Sequence, residues 1–184
     1  MVPRLILDHF RNPRNKRALP QASARGVVPG NRPGEALTLF LRLGPDGRIA
    51  EASFTNTADR QADPSVSLLT TLLPGLTVDE VAAITVEQIA ARMESIDNPG
   101  AATPAHEALR AVLAALRGEA NPFEAEGRLI CHCFHVREGR IRRYIREHSL
   151  RSVDAVRSWT RACGGCRSCR PDIEAILDQE RDRS

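Results

Sequence analysis

The chain has 184 residues, 42% of them hydrophobic and 27% charged, which allows one or two globular domains of ordinary composition. Aromatic residues make up only 4%, so the cores must be built from Leu, Ile, Val and Ala. The 26 basic and 23 acidic side chains leave a net charge of +3, too mild to point to a nucleic-acid partner.

Residues 3–10 predict a short amphipathic helix with Leu5, Ile6 and Phe10 on one face. This opening lacks the apolar core and cleavage site of a signal peptide, and no later run approaches the ~20 apolar residues that span a bilayer. The expectation is a cytoplasmic protein without a membrane partner. Pro13 ends the helix, and a loop rich in Pro, Gly and Arg continues to about Gly34. Leu37, Leu39 and Leu41 alternate with Thr38, Phe40 and Arg42 as in a strand, Gly44-Pro45-Asp46-Gly47 makes a turn, and residues 49–57 return antiparallel. Helices follow: Ser65 to Leu73, one begun by a Thr77/Glu80 capping box, one begun by Thr85/Gln88, and Thr103 to Arg117 with Ala105, Leu109, Val112, Leu113 and Leu116 on one stripe. This half reads as an α+β domain, a hairpin sheet with helices on one face.

A polar connector over 118–127 separates domain 1–117 from domain 128–184. The second domain predicts three short helices, at 137–147, after Ser152, and from Pro171. Trp159 is its expected core anchor. The arginines at 137, 140, 142, 143, 146 and 151 read as a solvated helix face. About 55 residues of short helix give a thin core, the kind that a metal or a disulfide often holds together.

All five cysteines lie here, in Cys131-His132-Cys133 and Cys163-Gly164-Gly165-Cys166-Arg167-Ser168-Cys169. In a reducing compartment such clustering favours metal over disulfide. Each run lets two thiolates converge on one centre, and four thiolates suit Zn²⁺ or an iron–sulfur cluster. Helical flanks and the tight Cys-x-Cys favour a [2Fe–2S] cluster over a zinc ribbon. Gly164 and Gly165 would let backbone amides approach the sulfurs, and the helix from Pro171 would turn its positive end toward an anionic cluster. Arg167 and Arg170 add charge of the right sign. Spacing alone leaves the second pair open between Cys163/Cys166 and Cys166/Cys169. His132 and His135 read as flanking rather than ligating residues, and His9 as a packing residue of the first helix.

Residues 131–134, Ile141-Arg142-Arg143 and the run from Gly164 to Ile173 resemble the bacterioferritin-associated-ferredoxin-type [2Fe–2S] domain, as found in the central part of NifU-like proteins. The resemblance covers roughly residues 128–178. That family's spacing, Cys-x-Cys, 32 residues, Cys-x-x-Cys, implies Cys131, Cys133, Cys166 and Cys169 as both cofactor and metal ligands. It usually has Gly at the position of Cys163, which is then an extra thiol. Through Leu7-Asp8-His9-Phe10-Arg11-Asn12-Pro13-Arg14-Asn15 and the element order up to about residue 117, the first half resembles the IscU/NifU scaffold domain. There the three scaffold cysteines align with Pro33, Asp59 and Ala101, the neighbouring Asp with Glu35, and the Leu-Pro-Pro-Val-Lys chaperone motif with Glu94-Ser95-Ile96-Asp97-Asn98. Pro and Ala can hold neither iron nor persulfide sulfur. A hard-ligand site from Glu35, Asp59 and His106 is a lesser alternative.

The resemblance implies a NifU-like accessory of iron–sulfur assembly with a permanent [2Fe–2S] cluster. The implied partners are a cysteine desulfurase or acceptor apo-proteins, with the first domain kept for docking or homodimer formation. A ferredoxin-like one-electron carrier with a redox partner is the alternative, and a zinc-stabilised interaction module the second. No enzyme is expected: the chain has no Gly-rich phosphate loop and no nucleophile with an evident base.

Overall fold

The computed structural model describes residues 3–30, 34–123 and 127–182. The chain forms two compact units, Met1–Glu124 and Ala125–Ser184.

In the first unit, helix α1 (Arg4–Arg11) precedes three antiparallel strands, β1 (Ala24–Pro29), β2 (Ala36–Leu43) and β3 (Ile49–Asn56), in the order β1-β2-β3. Leu39, Leu41 and Phe54 are fully buried on the sheet's inner face. The β2–β3 turn falls at Gly44–Gly47, where Gly47 takes φ 76°. β1 lies inside the stretch expected as loop. Its inward positions are Ala24 and Gly26, too small to give an apolar alternation. Their smallness has a packing cause. A Cβ on Gly26 would fall 2.0 Å from the backbone nitrogen of Val112, so helix α5 (Thr103–Leu116) rests directly on the strand.

Helix α2 (Asp63–Leu72) packs on β3 and α1, and α5 on β1 and β2. Short helices α3 (Val78–Ala82) and α4 (Val86–Arg92) each start with a complete capping box, Thr77 with Glu80 and Thr85 with Gln88, as the sequence predicts. α2 is polar on the side that meets the N-terminal segment. Ser67 Oγ accepts from the Arg14 N–H at 2.7 Å and pairs with His9 Nδ1 at 2.7 Å. Asn15 donates to Thr70 Oγ1 at 3.2 Å, and Lys16 meets buried Asp63 at 2.7 Å. This agrees with His9 as a packing residue and corrects the expected apolar face of α1 at Phe10. His9 is the buried residue of that helix, whereas Phe10 is 39% exposed with the Arg60 guanidinium over its ring. Beyond α5 the connector first folds back on this unit: Asn121 donates to the Val27 carbonyl at 2.8 Å and Phe123 is buried.

The second unit is helical, with α6 (Glu138–Glu147), α7 (Val153–Thr160) and α8 (Arg170–Arg181). It adds a two-stranded ribbon, β4 (Leu129–Cys131) with β5 (Val136–Arg137), which is too short to leave a periodic trace. Ser152 caps α7 by accepting from the Ala155 N–H, and Pro171 sits in the first turn of α8. The core is Ile130, Val136, Ile141, Tyr144, Val156, Ile173 and their neighbours. Tyr144 is the buried aromatic. Trp159 is only partly buried and covers the edge, stacked on His148 at 3.6 Å between ring centres. The arginine run is also more than a solvated face. Arg142 meets Glu138 at 2.7 Å and the buried Glu180 at 2.7 Å, tying α6 to α8.

Candidate metal centre

Each cysteine is placed by the element it ends or begins. Cys131 closes β4, which turns its thiol into the core at 2% exposure. Cys133 follows in the ribbon's turn, completed by His135 at φ 49°, and is exposed. After α7, Arg161 takes the left-handed conformation that stops the helix. Cys163 and Arg167 are left-handed as well, at φ 64° and 62°. Such a conformation costs a residue with a Cβ ~1–2 kcal/mol, so a glycine would sit at position 163 without strain. Cys166 stands exposed between these two kinks, and Cys169 is buried as the residue that caps α8.

The two runs meet. Cys133 Sγ and Cys166 Sγ lie 3.2 Å apart although 33 residues separate them in sequence. Ser168 Oγ is 3.1 Å from Cys166 Sγ. The Ser168 hydroxyl and N–H, then the Cys133 thiol, stabilise the thiolate and bring Cys166 down to about 7. Cys169 shows the opposite environment. Burial, the hydrogen-bonded Cys131 thiol and the charge of Cys163 push it up to about 12, against the Cys163 N–H that favours its thiolate. Cys131 and Cys169 therefore form a buried pair, and Cys133 and Cys166 an exposed one.

The surroundings suit an anionic centre bound by thiolates. A Cβ on Gly165 would lie 3.0 Å from Cys133 Cβ and 3.1 Å from its Sγ, so the backbone approaches that thiol as closely as only glycine permits. The positive end of α8 begins at Cys169. Arg161 lies over the Phe134 ring, 4.7 Å from its centre, and that ring covers Gly164 and Gly165. Arg170 is instead engaged with Glu174 at 2.8 Å. Ser168 and Phe134 have no role that the sequence pattern predicts. Ser168 lay inside the cysteine run, but its contact with Cys166 depends on the left-handed turn at Arg167.

Of the positions expected to stand for scaffold cysteines, Pro33 is outside the described residues. Asp59 caps a short 3-10 turn by accepting from the Gln61 N–H at 2.9 Å, and Ala101 ends a second such turn. Among the described residues no three His, Cys, Asp or Glu side chains are grouped to hold a single metal ion, so Glu35, Asp59 and His106 do not form the hard-ligand site considered for them. Also among the described residues, no helix is long and apolar enough to cross a membrane.

Comparison with known proteins falls along the same division. Residues 3–121 match the family described as NifU-like N terminal domain, and residues 129–179 the BFD-like [2Fe-2S] binding domain. The nitrogen fixation protein NifU of Azospirillum brasilense is 32% identical over 179 residues, 94% of this chain and 58% of its own length. The iron-sulfur cluster assembly scaffold protein IscU of Haemophilus influenzae is 30% identical over 92 residues, 48% of this chain and 73% of its own length. A crystal structure of the N-terminal part of a nitrogen-fixing NifU-like protein from Brucella abortus superposes with a TM-score of 0.49 at 18% identity, covering 62% of this chain and 91% of that one. The chain spans about three-fifths of the length of the NifU relatives it matches, 58% and 61% for the first two.

Proposed function

Because the chain belongs to the NifU-like family and joins its N-terminal domain to a BFD-like [2Fe-2S] binding domain, we propose that it serves iron–sulfur cluster assembly through one permanent cluster held by Cys131, Cys133, Cys166 and Cys169. The observation that carries this reading is the arrangement of these thiols in two pairs, Cys133 with Cys166 and Cys131 with Cys169, each drawn from both runs. Two irons bound by two thiolates each need two such pairs. The resident cluster supplies one-electron chemistry. The protein keeps one pair dry, opens the other to solvent, and offsets negative charge with the start of α8.

In this reading the first unit does not build clusters. It contains no cysteine at all, and the positions aligned with the scaffold thiols are Pro33, Asp59 and Ala101. With the thiols gone it serves as a docking or dimerisation module for a cysteine desulfurase or acceptor apo-protein. The test is to mix the cluster-loaded chain with a desulfurase, cysteine and an apo-ferredoxin. Binding to the desulfurase, or faster maturation of the acceptor, supports the assembly role. Neither effect leaves it without basis. The second reading, a one-electron carrier for a redox partner, is favoured by the exposure of Cys133 and Cys166. A reversible one-electron step in a reductive titration supports it, and an irreversible one removes it. A colourless anaerobic preparation with one zinc and no sulfide would replace both by the zinc-stabilised module.

A further inference from the structure

Four thiols are used by the proposed ligand set and one is left over. Cys163 is not a surface residue that happens to be a cysteine. It is 4% exposed and shares one buried cluster with Cys131 and Cys169. Its N–H is hydrogen-bonded to the Cys169 sulfur, so its backbone is already part of the site's wall. It holds a left-handed conformation, φ 64°, which disfavours any residue with a Cβ. Arg161 and Arg167 share this conformation, so the turn itself holds Cys163 against the other two buried thiols. The sequence Cys163-Gly164-Gly165-Cys166-Arg167-Ser168-Cys169 puts Cys163 and Cys169 at equal spacing on either side of Cys166. Cys166 is exposed, as are the two glycines on its N-terminal side. The exposed Cys166 is thus joined to the buried fifth thiol by a glycine pair.

We infer that Cys163 is a reserve ligand that takes the place of Cys166 when that exposed sulfur leaves the cluster. The inference rests on the four-ligand reading above. The exchange changes no oxidation state. In the exchange the Cys163 sulfur would replace the Cys166 sulfur as a thiolate ligand, with one iron–sulfur bond made for each one broken. The site thereby keeps four thiolates while its outer edge opens, the condition needed to survive attack by a chelator, an oxidant or a competing thiol at Cys166.

Alanine variants of the full chain test this, because a serine oxygen could itself bind iron. Iron and sulfide per chain, visible circular dichroism, and electron paramagnetic resonance of the reduced form are measured after anaerobic reconstitution. Cys163→Ala is expected to take up iron and sulfide like the parent on reconstitution, because the four primary ligands remain, and to differ in how fast it loses iron to a chelator. Cys166→Ala is expected to keep its iron and sulfide with shifted spectra, and the double variant to lose both. Cys166→Ala as empty as the double variant, with Cys163→Ala full, overturns the reserve ligand and leaves the four-ligand reading intact. Cys163→Ala empty while Cys169→Ala is full overturns the four-ligand reading itself. Should Cys166→Ala fail to fold, the rate of iron loss to a chelator decides on Cys163→Ala. A several-fold faster loss than the parent supports the exchange, and an equal rate overturns it.

Discussion

Gly165 offers the sharpest test of how the backbone shapes the thiol site. In Gly165→Ala the new methyl would sit 3.0 Å from Cys133 Cβ and 3.1 Å from its Sγ, roughly half an ångström inside comfortable contact. Overpacking costs about 1–3 kcal/mol in a rigid interior. Gly165 and Cys133 are both exposed, so the loop yields and the cost falls at the low end, about 1 kcal/mol. That strain falls on one thiol and not on the domain core. It corresponds to a roughly five-fold loss in cluster retention with an almost unchanged unfolding temperature. Gly164→Ala is the matched control, because its methyl would meet the Arg161 carbonyl at 3.0 Å and the Phe134 ring at 3.1 Å, and no sulfur is among its three nearest atoms. The assay is the iron retained against a graded chelator after anaerobic reconstitution, followed by visible absorbance, with thermal unfolding alongside. Gly165→Ala that retains iron like the parent, or Gly164→Ala that loses more, would refute the reasoning.

Other expectations concern the framework. Gly26→Ala drives a methyl to 2.0 Å from the Val112 nitrogen of α5, and should destabilise the first unit by about 3 kcal/mol or more, read from urea unfolding by circular dichroism. Arg142→Ala removes the 2.7 Å partner of the buried Glu180 and leaves Arg146 at 3.5 Å; a loss of about 2 kcal/mol in the second unit is expected, and an unchanged midpoint would remove the clamp from the account. His9 is held below its ordinary value by burial and by nearby Arg14, so the unfolded chain binds more protons at this group than the folded one. Its contribution is full above the unfolded value of about 6.5 and is lost as pH falls through the window below it; the urea midpoint should drop from pH 7.5 to pH 5.5 more steeply in the parent than in His9→Asn, and parallel curves would contradict this. Thr77→Ala and Thr85→Ala each break a capping box and should cost about 1 kcal/mol, additively in the double variant.

What the sequence conveyed depended on how local the cause was. The capping boxes, the Gly44–Gly47 turn, the Ser152 cap and the start of α8 are decided within a few residues and were all readable. Strand β1 was not, because Ala24 and Gly26 are small only to admit α5, and α5 lies some eighty residues away. In α1 Phe10 departs from the expected face, while His9 packs as expected. Its partner is Ser67 of α2, and no helical period in residues 4–11 contains that fact. Trp159, the expected anchor, covers the edge instead, and Tyr144 fills the centre. At the site, composition delivered five clustered thiols but not their sorting into an exposed pair, a buried pair and a buried fifth. In the first run that sorting follows from the end of β4 and the turn at His135, and in the second from the left-handed residues Arg161, Cys163 and Arg167, none of which is glycine.

The most direct test of the central claim is the iron, sulfide and zinc content of the anaerobically purified full chain, with its electron paramagnetic resonance spectrum after reduction. The account predicts about two irons and two sulfides per chain and a signal from one reduced [2Fe–2S] centre, abolished in Cys169→Ala. One zinc per chain with no sulfide, or iron and sulfide retained in full by that variant, would contradict it.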